Sequence, residues 1–491
     1  MTDLVVAGAR TLGADAPVDV VVADGRIAAV VPAGDGDRGA PRLEADGRTL
    51  LPGLWDRHVH ASQWAQRTRR VDVSSAVSAA EAAALAGEFV AGRDEVVGMG
   101  YQDALWPDAP DRTLLDAATG DVPVALVSHD LHACWLNSAA LARHGRPGHP
   151  TGVLREEEAF DVVRVLDDVG DDQLDAWVGD AMRAAAARGV VGVVDLEMRW
   201  NAADWVRRAQ RGVDAVRVEF GVYTQHLDRA IEEGLRTGDV LPGTGGLVAV
   251  GPYKVLTDGA LNTRTAWCVD PYPDADGDDA FGLATVAPEH LLPLLQRATA
   301  AGLVPAVHAI GDRANRAALD VLAQVDEVMT PDGPRRGSIE HAQLLRREDL
   351  ARFAELGVVA SVQPEHAMDD RDVAEHHWAG RTDRAFPLRS LVEAGAVLAL
   401  GSDAPVAPLD PWITIAAAVG RTRDGRAPWH PEQAIDVRTA IDASTRSTVA
   451  PGERADLVLV DVDPVTATAQ ELRTMPVAAT LLGGRPTHLA L

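Results

Sequence analysis

Short apolar runs, separated by longer stretches rich in Ala, Leu, Arg and Glu, make up the middle of this chain. Eight of the runs have strand length: GLWDRHVH, GVVGVVDLE, AVRVEFGVY, VAVGPYKVL, LVPAVHAI, RGSIEHAQ, VVASVQPEH and AVLALGSDAP. Several are almost continuously hydrophobic and rich in valine, as strands covered on both faces are. Between them HLLPLLQRATAAG, ANRAALDVLAQV and REDLARFAELG space their apolar residues as amphipathic helices do. Strands alternating with helices eight times predict an α/β protein built on a (β/α)8 TIM-like barrel.

The two ends of the chain read differently. LVVAGA, DVVVADGRIAAVV and TLLPG near the start, and ADLVLVDVD and AATLLGGRPTHL near the finish, are strand runs punctuated by glycine turns. They predict a small β-sandwich assembled from residues 1–53 and 448–491, with the barrel at 54–447 between them. From about residue 61 to 188 the alternation is interrupted by a long insertion that reads as mostly helical, with one further apolar run, VPVALVSHD.

Composition narrows the function classes. The chain has 491 residues and a net charge of −27, which disfavours nucleic acid and anionic membrane surfaces as partners. The two cysteines, Cys134 and Cys268, are far apart and provide no disulfide framework or thiolate metal site. No run of about eighteen apolar residues occurs. A cytoplasmic enzyme acting on a small molecule is expected, without nucleic acid or membrane partners, and a homodimer is the default assembly at this size.

Chemistry gathers at the ends of the predicted strands. The first run ends in His58 and His60, two apart and so on one face. The fourth carries Lys254, the fifth His308, the sixth His341 and the eighth Asp403. In a barrel these ends surround one mouth, and four histidines, a carboxylate and a lysine there suit a divalent metal such as zinc. Lys254 is the only lysine among 46 basic residues. Arginine serves for a salt bridge, but only lysine can lose its proton and react with carbon dioxide to give a carbamate able to bridge two ions.

LPGLWDRHVH resembles the opening metal motif of the amidohydrolase superfamily, with Trp55 and Arg57 in place of its usual smaller or aliphatic residues, and GERADLVLVDVDP with LLGGRPTH is similar to its closing strands. VGMGYQDALWPD, HACWLNSAAL, TGVLREEEA, YKVLTDGALNTRTA, VHAIGDRANRAALD, IEHAQLL, SVQPEHA and LGSDAPVAPLDP look like the YtcJ-like branch, amidohydrolase family 3, related to N-substituted formamide deformylases. The resemblance implies a metal-dependent hydrolase of non-peptide C–N bonds, amide or formamide, acting through a metal-bound hydroxide. It places His58 and His60 on a buried zinc, and His308 and His341 on a more exposed one. Carboxylated Lys254 lies between the two, and Asp403 is ligand and general base and acid.

Substrate contacts are expected from His132, Trp135 and Asn137 in the insertion, from Arg264 or Arg384, and from His366, which would hydrogen-bond the carbonyl or leaving group during catalysis. With a tryptophan and few cations in the pocket, an apolar or aromatic amide is expected. A mononuclear deaminase-type aminohydrolase, or a lactone or ester hydrolase on the same scaffold, is the alternative.

Overall fold

The computed structural model describes residues 2–67, 69–273 and 275–491. All eight predicted runs are strands of one parallel sheet. In order they are Leu54–Val59, Val190–Asp195, Arg217–Tyr223, Val248–Leu256, Pro305–Ala309, Ser338–His341, Val359–Val362 and Leu398–Leu400. Each pairs with the next in register, for example Leu256 opposite His308 and Ala309 opposite His341. The second strand is buried at all six positions, because the barrel interior covers one face and helices cover the other. Burying a valine side chain contributes roughly 1.5–3 kcal/mol, so these runs are a main source of the fold's stability.

The sheet closes where the first and eighth strands meet. Asp403 donates its backbone N–H to the carbonyl of His58, and His60 donates to the carbonyl of Ala404, each at 2.7 Å. Below them, one carboxylate oxygen of Asp56 accepts from the backbone N–H of Ser402 at 2.9 Å and of His58 at 3.2 Å. Gly401 makes this approach feasible: a Cβ there would stand 2.8 Å from the backbone nitrogen of His58 and 2.9 Å from its Cβ.

Strands from both ends of the chain share one eight-stranded sheet, in which Thr49–Pro52 pairs with Leu457–Val460. This sheet meets the barrel through a fork–fork ion pair, Arg217 on the third barrel strand to Asp456, at 2.7 and 3.0 Å. At the base of the barrel the Trp55 indole fills the space left by Gly192, and the Arg446 guanidinium lies 3.9 Å above its ring. Arg446 also pairs with Glu219 and, together with Arg57, lines a cavity at that end.

The insertion combines the expected helices with strands, one of which, Val124–Ser128, lies in the apolar run VPVALVSHD. It carries a five-stranded sheet of its own, from Val71–Asp72 to Val153–Arg155, among its helices. The other strands are two to six residues long, too short for periodicity to separate them from helix in Ala-rich surroundings. Replacing Gly401 by Ala is expected to pry open the seam between the first and eighth strands. Overpacking of this kind costs about 1–3 kcal/mol, readable as a lower denaturation midpoint at unchanged slope.

Candidate metal centre and active site

Strand geometry delivers the donors to one place. His58 and His60 leave the first strand on the same side, and their ring centroids are 5.6 Å apart. Asp403 faces both: its Oδ1 is 3.2 Å from His60 Nε2 and 3.5 Å from His58 Nε2. His341 follows from the sixth strand, its ring 5.1 Å from that of His58 and 4.5 Å from that of His308. Two of these residues hold left-handed backbone that non-glycine residues rarely adopt, His341 at φ 74° and Asp403 at φ 56°. Such strain costs of order 1–3 kcal/mol per residue and persists where the surrounding structure enforces it, commonly at functional sites.

The donor atoms fit a metal ion. Ligand atoms of His58, His60 and Asp403 lie within 4.8 Å of one another, and so do those of His341, His366 and Asp403. His60 Nδ1, His341 Nδ1, His366 Nε2, Asp403 Oδ1 and Lys254 Nζ are buried without a hydrogen-bond partner. Buried polar atoms are normally satisfied, so five orphans together mark a place built for something else to bind.

His366, expected to contact the carbonyl or leaving group, also stands among the donor groups. It begins the helix His366–His377 after the seventh strand, and its Nε2 lies 3.8 Å from Asp403 Oδ2, among groups able to hold a metal. His308 stands beside His341, but its Nε2 faces the Gly259 carbonyl at 3.3 Å and Asp258 at 3.4 Å. Asp258 orders the loop after the fourth strand, accepting from the backbone N–H groups of Trp267 and Gly311 at 2.9 and 2.8 Å.

Electrostatics prepare these groups. Burial first, then neighbouring positive groups, hold the His58, His308 and His341 imidazoles below their usual range, so they are neutral and have lone pairs to offer. Burial would raise Asp403, but His58, His60 and His341 override it and hold the carboxyl well below the usual range. Lys254 is 2% exposed, and burial brings its amine down to about 8, with Glu340 and Asp403 opposing.

Glu340 was not singled out by the sequence pattern, yet it lies directly beneath the centre. Its Oε2 is 2.9 Å from His58 Nδ1 and accepts from the Ser361 hydroxyl at 2.6 Å, while its Oε1 accepts from the Ser338 hydroxyl at 2.6 Å. Burial would raise this carboxyl, but His58 and Lys254 hold it at about 2. An ionised carboxylate only accepts, so it fixes the proton on Nδ1 and leaves Nε2 free on the side of Asp403. Strand alternation would send Glu340 away from the mouth if His341 faced it. The left-handed backbone of His341 breaks that alternation and lets both residues serve the centre.

The insertion forms the outer wall of a small cavity over the centre, with His132 in its lining. Burial opposes charge on His132, but its contact with Glu156 at 2.9 Å brings it up to about 9. The other predicted substrate contacts lie elsewhere. Trp135 is fully buried in the insertion's own core, edge-on to Tyr101 at 6.2 Å. Asn137 is the N-cap of the helix Ser138–Arg143, accepting from Ala140 N–H at 2.8 Å and donating to the Val122 carbonyl at 2.7 Å. Arg264 is exposed in a turn at φ 57°, outside the cavity lining, and Arg384 pairs with Asp312 at 3.2 Å.

A parallel barrel whose strand ends gather histidines and a shared carboxylate around one mouth is the framework of a metal-dependent hydrolase. The chain belongs to the amidohydrolase family, which matches residues 43–488, and is a hydrolase acting on carbon–nitrogen bonds. It is 26% identical to YtcJ of Bacillus subtilis, named as an amidohydrolase, over 91% of either chain. It is also 26% identical to N-substituted formamide deformylase of Arthrobacter pascens, covering 99% of this chain and 98% of that one. A metal-dependent hydrolase of Pyrococcus horikoshii shares the fold, with a TM-score of 0.78 over 95% of this chain and 99% of its own at 23% identity.

Replacing Glu340 by Gln removes the charge that holds His58 in its tautomer. The expected result is a folded protein whose dissociation constant for an added divalent metal ion rises ~10–100-fold, measured by competition with a chromophoric chelator. Unchanged metal affinity would exclude this role.

Proposed function

We propose that the chain hydrolyses a small amide of formamide type, with Asp403 as the proton carrier and zinc as the metal. The observation that carries this reading is the position of Asp403. It is an ionised, largely buried carboxylate shared by the two donor groups, with one oxygen lacking any hydrogen-bond partner.

On this reading His58, His60 and Asp403 would hold one ion, and His341 with His308 or His366 would hold a second. Carboxylated Lys254 would join them; its burial and its unpartnered amine support that modification. The metal, when bound, supplies a hydroxide-strength nucleophile at neutral pH and polarises the substrate carbonyl. Asp403 takes the proton of the attacking water as its oxygen adds to the carbonyl carbon, then delivers that proton to the nitrogen as the C–N bond breaks. The products from a formamide are formate and an amine. Proton transfer by a positioned side chain contributes ~10²–10⁴-fold, so the geometry of Asp403 matters as much as its ionisation. His366, 3.8 Å from Asp403, acts as a ligand or steadies the leaving nitrogen.

We also propose residues 1–53 with 448–491 as one β-sandwich domain and 54–447 as the catalytic barrel. The unit at the chain ends serves the site indirectly, through the Arg217–Asp456 tie to the third barrel strand.

Protein expressed with zinc and bicarbonate should hold about two zinc equivalents per chain by elemental analysis. One equivalent would support the mononuclear alternative, and none in folded protein would overturn the reading. Asp403→Asn should retain zinc yet lose more than ~10²-fold in kcat on a panel of N-substituted formamides. Full turnover by that variant would remove Asp403 from the mechanism.

A further inference from the structure

The outer wall of the cavity is acidic, and one of its carboxyls, Asp370, is pushed up to about 7 by burial and by Asp369 beside it, so a bound cation would favour its ionised form. Asp130, Asp369 and Asp370 line it beside Asn262 and Gln343, and no arginine or lysine is part of the lining. Most of the ionised groups around this space have a counter-charge: Asp369 has Arg423 at 2.6 Å and His129 at 3.6 Å, and His132 has Glu156 at 2.9 Å. Asp130 and Asp370 have none within ion-pair distance among the described residues. Asp130 Oδ1 accepts from the Ser128 hydroxyl at 2.6 Å and the His132 N–H at 3.1 Å, while its Oδ2 is buried without a partner. Asp370 accepts a single bond, from the Gln343 amide at 3.1 Å.

Two further unpartnered atoms border the same space, Asn262 Oδ1 and, at its deep end, Nε2 of His366, whose side chain is only 8% exposed. Along the outer wall the unsatisfied atoms of Asp130 and Asn262 are both acceptors, which a ligand rich in N–H groups would satisfy. A metal ion is a poor occupant there. The donor groups that converge within 4.8 Å are those around Asp403, and Asp130 and Asp370 belong to neither. Carboxylates without a counter-charge suit an organic cation, which relieves the cost of burying them. Trp135, the residue that suggested an apolar substrate, is not in the wall at all.

We propose, on the reading that this site is an amide hydrolase, that its substrate carries a second, cationic nitrogen (an ammonium or guanidinium) held by Asp130 and Asp370 while the amide lies at Asp403. Nothing in the cleaved bond requires that cation. It is a specificity element, set by the insertion and the helix after the seventh strand.

The test compares N-(4-aminobutyl)formamide with its uncharged isostere N-pentylformamide on the zinc-loaded full-length enzyme, by kcat/KM and by titration calorimetry. The amino compound is expected to be preferred by about tenfold or more in both. The ratio should fall towards one in Asp130→Asn and, separately, in Asp370→Asn, so that a folding failure in either variant leaves the other and the wild-type comparison to decide. Equal use and equal binding of the two compounds by the wild type, or binding of neither, overturns the proposal. Calorimetric preference for the cation without turnover of either compound supports the cation site and counts against the formamide reading instead.

Discussion

Asp403 donates its backbone N–H to the carbonyl of His58, and the carbonyl of Ala404 accepts from His60, both at 2.7 Å. These two bonds close the barrel and also set the distance between the residues that carry the chemistry. A strand pair can slip only by whole residues, and a one-residue slip turns every side chain to the other face. The alignment of Asp403 with both histidines is therefore inherited from the same register that closes the sheet. Gly401 and the Asp56 carboxylate, which accepts from both strands, keep that register from opening.

What the closed barrel does to its contents is mainly electrostatic. Removing imidazoles from water disfavours their protonated form, and grouping several of them with Lys254 disfavours it further. The same environment would neutralise isolated carboxylates, yet Asp403 and Glu340 remain ionised because each faces an imidazole. Neutral nitrogen donors next to charged oxygen donors are the combination that a borderline cation such as zinc accepts. Glu340 also extends the centre downward, linking His58 to the hydroxyls of Ser338 and Ser361 inside the barrel. The mouth and the interior are thus one polar column lined by apolar strand faces.

Above the mouth the insertion plays a different part. Its five-stranded sheet and its own apolar core, which includes Trp135, give it the rigidity to present His132, Glu156 and Asp130 at a distance from the barrel strands. Chemistry on the barrel and discrimination on an added layer is a division this fold supports, since loops at the strand ends vary without disturbing the sheet.

The eight barrel strands, their order and the convergence of His58, His60, His341 and Asp403 were legible in the chain, because β-branched runs and residues at strand ends obey short-range rules. The turn-punctuated strand runs at both ends were legible, but their pairing across the chain, Thr49–Pro52 with Leu457–Val460, is a property of the tertiary structure. Other features were not legible. The insertion's strands were too short to show a period, and pattern alone could not tell that Trp135 and Asn137 turn into its core rather than towards the mouth. Glu340 was hidden because its neighbour His341 departs from strand geometry. Asp130 and Asp370 are two of 73 acidic residues, and nothing local distinguishes them from a solvated surface. Local rules reach a few residues along the chain, whereas burial, counter-charge and backbone strain depend on what distant segments place alongside; those the tertiary structure alone decided.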